Sequence, residues 1–140
     1  MKIQNILAGL LFGSALSLSM GGLLLYVYRL ATPAILSGGW VIAILLVCLG
    51  FYVLRLNVLA INISTILGIL SIVVSPLIPA HREVLPRFGS TPIITLLDTL
   101  QILGFYVFPA IFIVLRFVKL KTNRPNKTKA PVNHTVNKRI

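Results

Sequence analysis

This chain of 140 residues is 57% hydrophobic and 11% charged, with a mean hydropathy of +0.98. A soluble domain carries roughly 25% charged residues to solvate its surface, so these figures exclude a globule that faces water on all sides. A formal net charge of +11, from 13 Lys+Arg against 2 Asp+Glu, could suit nucleic acid, but the cations are concentrated at one end of the chain.

The first apolar segment runs over residues 6–28. Lys2 before a greasy stretch resembles a signal peptide, but the stretch exceeds a typical h-region, so a retained helix is expected. Gly9, Gly13, Ser17 and Gly21 recur every four residues along it. Such a stripe of small residues lets another backbone approach closely, so it reads as a helix-packing seam, internal or to a partner subunit.

Further apolar segments cover residues 33–54, 58–78 and 92–118. Each reaches the roughly 20 residues needed to cross a hydrocarbon core. Only helices do this with short loops, because lipid leaves every backbone amide to be satisfied internally. The expected fold is an all-α membrane protein, a four-transmembrane-helix bundle. Thr32-Pro33 and Thr91-Pro92 each set a capping hydroxyl before a proline at a helix start, and Asn57 can cap the third helix after a tight Arg55-Leu56 turn. Pro76 and Pro79 loosen the end of the third helix, and Pro109 is expected to kink the fourth. Ala60, Ser64 and Gly68 repeat the small-residue device in the third helix. The single Cys48 excludes an internal disulfide or CxxC pair and is expected to serve as a small packing residue.

Phe51-Tyr52-Val53-Leu54-Arg55-Leu56 resembles Phe112-Ile113-Val114-Leu115-Arg116-Phe117. Two tandem helical hairpins of the same orientation would explain this; apolar helices that both end in Arg would explain it equally well.

Asp98 lies in the fourth segment, with Thr95 and Gln101 three residues to either side on nearly the same face. An ionisable residue inside a span is costly and turns toward protein or water. One reading is an intramembrane coupling site for an ion or proton. The other is structural: a hydrogen bond to Asn62, Ser64 or Thr65, or a salt bridge to Arg82 or Arg87. Counting along the helices sets Asn62, Ser64 and Thr65 in the opposite half of the bundle from Asp98, which favours a loop arginine.

Eight of the 13 cations lie from Arg116 onward, with no acid among them. Residues 119–140 form a basic, proline-containing tail, expected to be disordered unless bound. Its Lys119, Lys121, Arg124, Lys127 and Lys129 suit anionic lipid headgroups, at about 1 kcal/mol each near the surface, or an acidic partner subunit. No aromatic residue interleaves them for base stacking, which disfavours nucleic acid. Four spans set both termini and the Arg55 turn on one side, with ten Lys and Arg against three on the other. The positive-inside rule makes that side cytoplasmic, in a plasma or inner membrane, and leaves the Asn126 and Asn133 sequons inert.

His81 and His134 fit neither a bis-histidine haem nor a zinc ligand set, and no spacing suggests acyl transfer or a phosphate loop. A site built from His81, Glu83 and Asp98 would rest on residue type alone. No catalytic residue, metal or cofactor is therefore expected. The expected function is a non-enzymatic accessory or structural subunit of a larger membrane complex. The alternative is a small homo-oligomeric transporter or channel with Asp98 as its coupling carboxylate.

Overall fold

The computed structural model describes residues 2–30, 32–77 and 88–122. Its elements are α1 (Ile3–Val27), α2 (Pro33–Leu54), α3 (Val58–Val74) with a 3-10 turn at Ser75–Leu77, α4 (Pro92–Ile102), a π-helical turn at Leu103–Val107, and α5 (Phe108–Thr122). No strand occurs among the described residues. Helix α4, the π turn and α5 run on as one fourth span.

Four helical stretches of 25, 22, 20 and 29 residues are apolar and long enough to cross a membrane. At 1.5 Å per residue they measure about 30 to 43 Å, at or above the thickness of a hydrocarbon core. Their outer surface is greasy: Leu16, Val41, Ile44, Leu59, Ile66 and Val114 are all more than half exposed. A water-soluble surface does not carry apolar area on that scale.

Helix ends follow local chemistry. Asn57 Oδ1 accepts from Ala60 N at 3.1 Å, and Thr91 Oγ1 accepts from Ile94 N at 3.2 Å, so both act as caps. Thr32 makes no side-chain cap bond; Pro33 alone sets the start of α2. Pro76 has no N–H to continue the α ladder, and α3 tightens into the 3-10 turn there. The α1–α2 and α2–α3 turns close alike. Leu30 N donates to Leu25 O at 2.8 Å and Asn57 N to Tyr52 O at 3.2 Å, with Arg29 and Leu56 left-handed at φ 56° and 59°. This is the Schellman closure, made with side chains where glycine is usual.

Helix α1 is the hub, packing along α2 on one side and along the whole fourth span on the other. Helix α3 packs on α5 and the π turn, and meets α2 chiefly near the turn that joins them. The α1–α2 contact is closest where the Phe12 ring lies over Gly50, whose missing Cβ would sit 2.5 Å from it. Phe12 also meets Phe51 edge-on at 5.3 Å. The core gathers at the end that carries Lys2 and the Arg55 turn: Leu7, Ala8, Leu11, Leu49, Val53, Ala60, Ile61 and Phe112. We call this the basic end.

Several sequence expectations need correcting. Cys48 is exposed on α2 and packs no core, because a lone residue in an apolar helix carries no signal of which way it faces. The fourth span does not simply bend at Pro109. The ladder widens one turn earlier, where Phe108 N reaches back to Leu103 O, and this offsets the strand of bonds that the proline cannot join. Lys119 and Lys121, expected at the start of the tail, lie in α5; Arg124, Lys127, Lys129 and the remainder of the tail fall outside the described residues. The two similar hexapeptides occupy unlike settings. Phe51 is exposed while Phe112 is buried, and Arg55 closes a helix while Arg116 lies within one.

Candidate functional site

The small-residue stripe of α1 faces the fourth span. A Cβ on Gly13 would come within 3.1 Å of the Phe108 ring, and one on Gly21 within 3.8 Å of Leu100 Cβ. Ser17 is buried and its Cβ lies 3.3 Å from where one on Gly104 would be. The two chains thus step past each other antiparallel, one small residue per turn. Gly9 does not belong to this seam: it is exposed, with nothing within 4 Å of its missing Cβ, because four-residue steps turn about 40° each round the helix and carry the stripe off the contact face. In α3, Gly68 packs at 3.5 Å on Pro109 and Ile113, so both small-residue faces close on the fourth span.

That span adapts to its neighbours through its backbone. Pro109 has no N–H to donate to the Phe105 carbonyl. Ser71 Oγ of α3 lies 3.1 Å from Phe105 O and 2.8 Å from its own Gly68 O, so one hydroxyl hydrogen serves both carbonyls. The π turn, Pro109, Gly104 and Ser71 form one packing unit.

Asp98 is completely enclosed, and neither carboxylate oxygen has a hydrogen-bond partner. Gln101 Nε2, one turn along, is likewise buried without a partner. Thr95 is turned elsewhere: its hydroxyl donates to Thr91 O at 2.8 Å and accepts from Gly89 N at 3.1 Å. Asp98, Thr95 and Gln101 therefore share one stretch of helix but form no hydrogen-bonded strip. The cross-helix partners considered for Asp98 are also corrected. Thr65 donates to Ile61 O at 2.7 Å, Ser64 Oγ is buried without a partner, and Asn62 is engaged at the other end of the bundle. Arg82 and Arg87, together with His81 and Glu83, lie outside the described residues.

What occupies Asn62 is Arg116, whose guanidinium donates to Asn62 Oδ1 at 2.6 Å. In the sequence Arg116 falls near the end of the fourth apolar segment and stands out only as a topology charge. The signal that could have joined the pair is depth: Asn62 stands one turn inside the start of α3, and Arg116 one to two turns inside the end of α5.

A cleft of about 300 Å³ lies among the four helical spans, with α2 and α3 forming two of its walls. Ile42, Leu45, Leu70 and Val74 line it among others, and Ser14, Ser64, Ser71 and Ser75 are its hydroxyl residues. Asp98 and Gln101 are not in its wall. Among the described residues no group of His, Cys, Asp and Glu could hold a metal.

These features define a class by architecture: a small all-helical bundle with four helices of membrane-spanning length. Comparison with family models, curated proteins and solved structures finds none that matches the chain.

Proposed function

We propose that the chain is an integral membrane protein, crossing the bilayer four times with its basic end in the cytoplasm. Its role in this reading is that of a non-enzymatic accessory subunit of a larger membrane complex. The carrying observation is the state of α2. Of its 22 residues only Ala43, Leu49, Gly50 and Val53 are buried, and Gly38 has open space where a Cβ would stand. Helix α2 packs chiefly along α1, which leaves its other faces, with Gly38, open to a neighbour, and glycine there permits close approach. Among the described residues the cleft is apolar apart from its serines, whereas a conduction path needs lining groups.

Purification in mild detergent followed by native mass spectrometry tests this. The expectation is a heteromeric species that Gly38→Leu disperses without unfolding the chain. A lone monomer at every detergent concentration would sink the proposal. Protease digestion of sealed vesicles checks the orientation: cleavage of the basic tail only after the cytoplasmic face is opened is the expected pattern.

A second reading has one specific observation in its favour, the enclosed and unpartnered Asp98. Intramembrane acids of this kind mark proton and ion relays. In a homo-oligomeric transporter Asp98 would be the coupling group, and Asp98→Asn would abolish pH-driven flux in liposomes. Absence of flux in the unaltered protein removes this reading and leaves the first untouched.

A further inference from the structure

We infer that Arg116, presented by Asn62 and supported by Lys119, forms a site for the phosphate of an anionic phospholipid at the basic end of the bundle. The inference rests on the membrane reading above and adds a structured headgroup site to the general attraction of the tail.

Charge is the first argument. The sequence holds two acids, Glu83 and Asp98. Asp98 stands 18 residues before Arg116 on the same span, about 27 Å away along the helix. Glu83 falls outside the described residues. Among the described residues the basic end carries Lys2, Arg55, Arg116 and Lys119 with no side-chain anion. A guanidinium near the edge of an apolar span needs a counter-charge, and no described side chain at that end supplies one.

Geometry is the second. Arg116 is half-buried, and Asn62 holds one of its terminal nitrogens at 2.6 Å. A guanidinium has five N–H donors in a rigid fork, so fixing one edge on a neutral acceptor leaves the others oriented and the full positive charge intact. That is the arrangement suited to two phosphate oxygens. Had the partner been a carboxylate, the charge would be consumed internally. Lys119, also half-buried, follows three residues later and so lies on the neighbouring turn of the same face.

The surroundings favour a lipid over an acidic polypeptide. Leu59 and Ile66 stand one turn to either side of Asn62 on its own face of α3, and both are exposed. Acyl chains below a phosphate would lie against such residues, whereas an acidic segment would bury its own polar backbone there.

The test uses the full-length protein in nanodiscs of mixed phosphatidylglycerol and phosphatidylcholine, with retained lipid counted by native mass spectrometry after transfer to detergent. The unaltered chain is expected to retain phosphatidylglycerol selectively. Arg116→Gln should reduce that retention about tenfold, the factor that one charge-assisted hydrogen bond commands. Asn62→Asp is the decisive variant. It keeps the α3–α5 link as a salt bridge, so thermal stability holds or rises, while it cancels the charge and abolishes selective retention. Replacing Arg124, Lys127 and Lys129 by Gln removes the diffuse attraction of those charges, so it lowers retention but leaves a selective remainder that Asn62→Asp still abolishes. The inference is overturned if Asn62→Asp retains phosphatidylglycerol normally, if the tail variant alone abolishes retention, or if an acidic polypeptide crosslinks to Arg116 in place of lipid. Failure of the chain to enter nanodiscs of any composition would instead strike the membrane reading itself.

Discussion

At the basic end Leu7, Leu49, Val53, Ile61 and Phe112 interlock as bulky side chains, and an arginine spans two helices to an asparagine. At the opposite end the same spans meet through Gly13, Ser17, Gly21 and Gly104, through a serine shared by two carbonyls, and around a carboxyl that bonds to nothing. The first half is held by volume and the second by closeness of backbone. In the lipid setting proposed above this division has a physical origin. Helices gain nothing by hiding apolar surface from a solvent that is itself apolar, so association rests on dispersion where side chains are large and on close approach where they are small. The half built on small residues carries two side chains with unpaired atoms, Asp98 and Gln101, and the half with bulky contacts one, Ser64 beside the cleft.

The contrast can be broken most directly at Phe112, which is 1% exposed. Phe112→Ala should cost about 2 kcal/mol, below the usual figure for a soluble core because lipid removes most of the transfer penalty. Unfolding in mixed micelles titrated with dodecyl sulfate measures it; a loss under half that value would mean the basic end is not held by packing.

Asp98→Leu sharpens the other side. An enclosed, unpartnered polar group costs about 1–3 kcal/mol, so an apolar replacement of similar size should raise stability by that order in the same titration. A decrease would reveal a partner for the carboxyl. Smaller again is Gly104→Ala, which sets a methyl 3.3 Å from Ser17 Cβ and should cost about 1 kcal/mol, while Gly9→Ala, with open space, should cost nothing. Equal effects at the two glycines would dissolve the seam. The least effect belongs to Ser71→Ala, about 0.6 kcal/mol, the average for hydrogen bonds between membrane helices. In a Pro109→Ala background the restored N–H can serve the Phe105 carbonyl, and the serine should then contribute less.

Span number, span limits and the Asn57 and Thr91 caps were legible in the sequence, because length, hydropathy and cap chemistry are properties of one strand of chain. Which face of each helix meets which neighbour was not. Four-residue spacing marked Gly13, Ser17 and Gly21 as a seam, but periodicity fixes a face only relative to its own helix, so neither the fourth span as occupant nor the loss of Gly9 from the contact could be read. Gly50 escaped notice because a single glycine in an apolar run looks like any other, and only the Phe12 ring gives it meaning. Depth along the helices separates Asn62 from Asp98, and the same count brings Asn62 level with Arg116, its partner.

The α2–α3 turn has a mechanical consequence. The two helices are joined by only Arg55, Leu56 and Asn57, so their separation along the cleft is set by this turn together with the packing of α3 on the fourth span. Helix α3 extends 17 residues from the turn, about 25 Å. A rotation of about 10° at the turn would displace the far end by roughly 4 Å over that arm. Leu56, held in a left-handed conformation that a branched side chain occupies at some cost, thereby shares in setting the width of the opening at the opposite face of the bundle.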